Sequence, residues 1–180
     1  MGTEKENWQF DLMTRHARLF VPYDRPTDGA AGYPICGAGW QDLLERAMSR
    51  IERALGEGDE LHIHQVKEKL GGLRIYWRGH LSADASAKIE EAVDLAEARA
   101  ECTCETCGRE GRLHVADHWF NTACPDHAKG APVDTQPASE RLHVVRKIAG
   151  RKLKPVRYRR YDRDADIFVD VDPPTINGDE

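Results

Sequence analysis

Cys104, Cys107, Cys124 and His127 carry three sulfurs and one imidazole, donors that a tetrahedral zinc ion takes readily. They form a C-x2-C…C-x2-H pattern, in which two intervening residues let a tight turn aim both members of a pair at one ion. Sixteen residues separate the pairs, enough for an excursion that returns the second pair to the first. Four protein ligands leave no open position for substrate, so the expected Zn2+ is structural. In an exported protein such cysteines would form disulfides. Met1 to Asp11 is instead polar and charged, unlike a signal peptide, and no apolar stretch is long enough to span a bilayer. The expectation is a reducing cytoplasm and no membrane contact, with a redox-active dithiol as the alternative to zinc. Cys102 competes with Cys104 as a ligand, but its spacing to Cys107 is less usual, and it is read as a spare thiol.

The remaining chemistry is weaker. Asp117-His118 matches the Asp-His start of an HNH-type nuclease motif, but the later Asn and His lack suitable spacing, since Asn121 is too close and His127 is already assigned. His114 and His118 read as surface histidines or as hydrogen-bond partners of a ligand sulfur. His62, His64 and His80 are too loosely spaced to specify a second metal. Cys36 has no activating neighbour and reads as a buried residue ahead of a helix. No phosphate-cradling loop, dinucleotide fingerprint or serine elbow is present. An enzyme is therefore not expected.

These residues need elements to position them. Trp8 to Phe20 reads as a first helix, followed by a connection rich in Pro and Gly. Trp40, Leu43, Leu44, Ala47, Ile51, Ala54 and Leu55 follow a helical repeat that Gly56 and Gly58 stop. Leu61 to Arg78 alternates as a β-hairpin turning at Gly71-Gly72, with Leu70 opposite Leu73 and Val66 opposite Trp77. That register turns Val66, Leu70, Leu73, Ile75 and Trp77 inward, with Glu68 out of place among them. Gln65, Lys67, Lys69, Arg74, Tyr76 and Arg78 face outward. Upstream of Gln65 the alternation reverses, which either a bulge or an earlier strand end explains. Ser82 caps a third helix running to about Ala100, with Ala85, Ile89, Ala92, Val93 and Ala96 on one face. Between the cysteine pairs, Leu113, Val115, Trp119 and Phe120 are expected to form an apolar plug beneath the ion.

Charge is segregated along the chain. The first 140 residues carry 16 bases and 24 acids; from Arg141 to Arg163 ten Lys/Arg stand against Asp162 alone; six acids follow without a base. Such segregation marks an interaction arm or a self-pairing tail. Leu142, Val144, Val145 and Ile148 suggest a short ordered element, and Ile167, Phe168, Val169 and Val171 a strand. The arm is either a hairpin closed by its own charges or partly disordered until it binds. The expected fold is α+β: an α+β body of three helices and a β-hairpin over 1–103, a small structural zinc-binding subdomain over 104–128, and a linker with a charged C-terminal arm over 129–180.

Three blocks of sequence in order, Cys36-Gly37-Ala38-Gly39-Trp40 with Leu43-Leu44, Gln65 to Arg74, and Cys104-x-x-Cys107-Gly108 with Thr122-x-Cys124-x-x-His127, resemble a family of small uncharacterised phage and prophage proteins. The resemblance covers about Trp8 to Ala128 and departs at Leu70, where members often have an aromatic. It implies a bacterial host cytoplasm and a phage-related role, and brings no activity. From the residues themselves, the expected function is non-catalytic binding to nucleic acid or a nucleoprotein complex. Lys67, Lys69, Arg74, Tyr76 and Arg78 on the hairpin, and Arg151, Lys152, Lys154, Arg157, Arg159 and Arg160 in the arm, are the candidate contacts. The alternative partner is a host protein, as for an inhibitor of a host enzyme or an anti-CRISPR-type protein acting on a defence system.

Overall fold

The helical repeat that begins at Trp40 forms the central helix of the body. In the computed structural model, which describes residues 7–22, 29–134, 140–149 and 152–174, α1 spans Trp8–Arg15, α2 Gln41–Ala54 and α3 Ala83–Ala100. The chain divides into two units, Met1–Pro132 and Val133–Glu180. In the first, α2 buries Leu43, Leu44, Ala47, Met48 and Ile51, and contacts both α1 and α3. Ser82 caps α3 by accepting from the Ala85 N–H at 3.3 Å. Small residues at Ala85, Ala92, Ala96 and Ala100 are buried along it, which permits close approach of its neighbours. No helix among the described residues is long and apolar enough to cross a membrane.

The first helix is shorter than its hydrophobic pattern suggests. It ends at Arg15, and a 3-10 turn at Ala17–Leu19 leads to Phe20, which bridges to Ile63. His16 is the reason. Its buried ring sits between two carboxylates of α2, with Nε2 2.9 Å from Glu45 and Nδ1 2.8 Å from Glu52.

Strands β1 (Pro34–Ile35), β2 (Glu60–Lys69) and β3 (Gly72–His80) form one sheet in that order. The β2–β3 turn is Leu70-Gly71, one residue earlier than the glycine pair predicts, with φ of 54° and 79°. Val66 consequently faces Ile75, and Lys69 faces Gly72. Because the register moves by two residues, the faces are preserved: Val66, Leu73 and Ile75 are buried, while Leu70 becomes an exposed turn residue. Glu68, the misfit of the inward set, accepts from the Gly71 N–H at 2.6 Å and so closes the turn. A bulge between Ile63 and Gln65 resolves the upstream reversal and returns Leu61 and Ile63 to the core.

The stretch between the cysteine pairs is a small sheet of order β5-β4-β6, with β4 Arg112–Ala116, β5 Trp119–Ala123 and β6 Ala131–Pro132. Leu113, Val115 and Phe120 are half-buried there, but Trp119 is 79% exposed, so the plug lacks its largest expected member. Trp119 directly follows the Asp117-His118 turn, both of whose residues have positive φ.

The second unit is a three-stranded antiparallel sheet: β7 (Leu142–Ala149), β8 (Lys152–Asp162) and β9 (Ile167–Asp170), with β8 central. Tyr161 anchors it, buried and donating to Asp166 at 2.6 Å. Opposite charges do close part of this sheet, since Arg157 grips both carboxylate oxygens of Asp170 at 2.6 and 2.8 Å.

Candidate metal centre

Two turns bring the four donors together. The α3 helix ends in bonds from Cys102 and Thr103 N–H to Arg99 and Ala100, and delivers Cys104 directly afterwards. Gly108, at φ 77°, lets the chain reverse so that its N–H reaches the Cys104 carbonyl at 2.8 Å. The β4–β5 hairpin then carries the chain out and back to Cys124, and a turn from Cys124 O to His127 N, 3.0 Å, presents the imidazole.

The resulting geometry fits a tetrahedral ion. All four ligand atoms lie within 4.8 Å of one another. Cys107 Sγ is 3.7 Å from Cys124 Sγ, and His127 Nδ1 is 3.7 Å from Cys104 Sγ and 3.3 Å from Cys124 Sγ. Zinc with sulfur at about 2.3 Å and nitrogen at about 2.0 Å would set these separations near ~3.8 and ~3.5 Å. The cluster can therefore hold a metal ion such as zinc. Cys102 is not part of it; its buried thiol turns to the Arg99 carbonyl at 3.3 Å.

The surroundings lower two of the three thiols, Cys104 and Cys107, and raise the third, Cys124, chiefly through burial. Arg109, through its guanidinium and its backbone N–H, holds the Cys107 thiol down to about 6. The same guanidinium donates to Cys124 Sγ at 3.3 Å and pairs with Asp126. Burial acts to raise the Cys104 thiol, but N–H groups of Cys124, Cys107 and Thr106 outweigh it and leave it below its ordinary value. Donors around the sulfurs hold them in place and offset their charge.

The site is also tied to the body. Gly37 N–H donates to the Glu105 side chain and Gly39 N–H to the Glu105 carbonyl, each at 2.8 Å. The buried Trp40 indole donates to Thr103 O at 2.9 Å, and Thr122 Oγ1 donates to Gly71 O at 2.6 Å. A Cβ on Gly39 would run into the Cys104 carbonyl and the Cys107 and Gly108 nitrogens; one on Gly37 would meet Glu105. Thus all three sequence blocks noted above meet around the cysteines. Glu105, Gly37, Gly39 and Thr122 position the site without being legible as such in the sequence, because their partners are distant in the chain.

Compared with protein-family models, curated proteins and solved structures, the chain matches none of them.

The candidate binding residues separate into distinct groups. On the outer face of β2–β3, Lys69, Tyr76 and Arg78 are exposed, and the Lys67 ammonium lies 5.6 Å from the Tyr76 ring centroid. Arg74 instead leans toward Glu97 of α3 at 3.5 Å. In the second unit Lys152 and Lys154 are exposed, Arg157 is paired with Asp170, and Arg160 donates to Glu140 O at 3.0 Å. Arg159 is buried with its guanidinium 4.1 Å from the Phe168 centroid. Arg151 lies outside the described residues. His62, His64 and His80 are exposed along β2 and β3, apart from the four-ligand cluster. His114 is buried, with Nδ1 2.8 Å from Arg112 O. Burial, then Glu105 and Glu68, push the Cys36 thiol up to about 12, so it stays protonated.

Proposed function

We propose that the chain is a non-catalytic binding module, stapled by structural zinc, that contacts nucleic acid or a nucleoprotein complex through the outer face of β2–β3. The observation that carries this reading is Tyr76, 45% exposed, with the Lys67 ammonium 5.6 Å from its ring centroid and the exposed Lys69 and Arg78 on the same two strands. Cations there neutralise phosphate and the ring offers a stacking face. The sulfur-rich donor set supports zinc over harder ions. Four protein ligands leave no place for substrate, and a protonated Cys36 is a poor nucleophile. The resemblance to phage and prophage proteins supports a phage-related role in a bacterial cytoplasm.

The test uses purified protein alone. Binding of a labelled oligonucleotide should weaken steeply with salt, by a log–log slope of about 0.7–0.9 per phosphate contacted. The K67E/K69E/R78E variant should bind at least about tenfold more weakly, with a shallower salt slope, while keeping its metal and circular dichroism. Unchanged affinity in that variant would contradict the assignment.

A protein partner is the second reading, favoured by Trp119. An indole 79% exposed on a hairpin tip suits a pocket in another protein, such as a host enzyme or defence complex. Under this reading purified protein binds no oligonucleotide, and Trp119→Ala abolishes capture of the partner.

A further inference from the structure

We propose that the far half of the β7–β8 hairpin is a ribbon that lies in the major groove of duplex DNA. This rests on the nucleic-acid reading above and adds a second contact with a defined substrate. From Arg146 to Ile148 and from Lys152 to Arg157 every side chain is exposed. Ile148 stands opposite Leu153, and Lys147 opposite Lys154. Side chains alternate along each strand, so one face carries Ile148, Leu153 and Pro155 with Arg146 at its inner end, opposite Pro155, and the other carries Lys147, Lys152 and Lys154.

Neither face suits a ribbon left in water. Like charges directly across a ladder repel. Ile148 and Leu153 are 78% and 66% exposed, so their pairing buries little. Local choices that oppose stability mark positions kept for a partner. The basic residues nearer the base of the ribbon serve the sheet itself: Arg157 binds Asp170, Arg159 lies on Phe168 and Arg160 reaches Glu140. No acid occurs from Arg141 to Tyr161, so the exposed lysines call for an anionic partner.

Shape selects which anion. Two strands about 5 Å apart fit a groove about 12 Å wide and 8.5 Å deep. With the apolar face on the groove floor, Ile148 and Leu153 meet thymine methyl groups. The opposite face then stands at the level of the phosphates on both rims, within reach of the lysines. On a flat anionic membrane, burying the apolar face would turn those lysines away from the charge. Duplex RNA has a deep, narrow major groove that excludes the ribbon.

The experiment measures anisotropy of labelled duplexes with the full chain: thymine-rich DNA, the same duplex with uracil replacing thymine, the RNA duplex, and anionic phospholipid vesicles as competitor. Thymine DNA should bind about fivefold tighter than uracil DNA and about tenfold or more tighter than RNA. The I148S/L153S variant should lose the thymine preference and keep the salt slope. The K147A/K152A/K154A variant should lower that slope by about 2–3, at about 0.9 per phosphate. Equal binding of thymine and uracil DNA, or competition by vesicles, would overturn the ribbon assignment while leaving nucleic-acid binding in place. Loss of all binding in K67E/K69E/R78E with no effect of either ribbon variant would do the same. Failure of the unmodified protein to bind any nucleic acid would overturn both.

Discussion

The N–H of Gly39 donates to the carbonyl of Glu105 at 2.8 Å, joining the turn ahead of α2 to the middle of the first cysteine pair. Gly39 also sits where a methyl group would strike the Cys104 carbonyl and two backbone nitrogens, none of which has room to move. Gly39→Ala should therefore destabilise the protein by about 2–4 kcal/mol and weaken metal binding. Gly58→Ala is the control: its φ is 82° but nothing lies near, so a loss of about 1 kcal/mol with unchanged metal affinity is expected. Urea titration and competition with a metal chelator read both quantities.

Cys107→Ser should release the metal and cost about 3 kcal/mol or more, because ion binding and local folding are one equilibrium at such sites. The consequence reaches beyond the site. Trp40 donates to Thr103 beside the first ligand, so its indole N–H should lose exchange protection in the variant and on chelation of the native protein. Unchanged protection of that proton would show the site and α2 to be independent.

Asp59 carries a pH dependence. N–H groups of Ser82 and Gly56 hold its carboxyl below the ordinary value. A carboxyl lowered on folding contributes stability above its unfolded value of about 4, lost as pH falls through the folded one. Asp59→Asn should therefore be less stable than the native chain at pH 7, with the difference shrinking toward pH 3. A gap between the two that is constant from pH 7 to 3 would contradict the linkage.

Leu70 holds φ at 54° while 65% exposed. Its side chain gains little from burial and its backbone is strained. Leu70→Asn should raise stability by about 0.5–1 kcal/mol, measured as an upward shift in the urea midpoint.

The sequence is informative where chemistry is local and silent where partners are remote. The Cys/His cluster, α2, α3 and the burial of Val66, Leu73 and Ile75 on β2–β3 follow from spacing alone, whereas Leu70, expected beside them, is exposed. The turn at Leu70-Gly71 was hidden because Gly71-Gly72 satisfies the usual turn chemistry, whereas Glu68 closing onto Gly71 N–H selects the earlier pair. The early end of α1 reflects His16 reaching Glu45 and Glu52, a tertiary contact invisible to periodicity. Trp119 reads as core by type, yet the β4–β5 turn places it outside. The basic run after Arg141 gave its charge plainly, but only the register of β7 and β8 separates the face of Ile148 and Leu153 from that of Lys147 and Lys154.

X-ray absorption and elemental analysis of natively purified protein test the metal centre most directly. One zinc per chain, with three sulfurs at about 2.3 Å and one nitrogen at about 2.0 Å, is the expected result. Protein free of metal, or a disulfide joining any two of Cys104, Cys107 and Cys124, would contradict it.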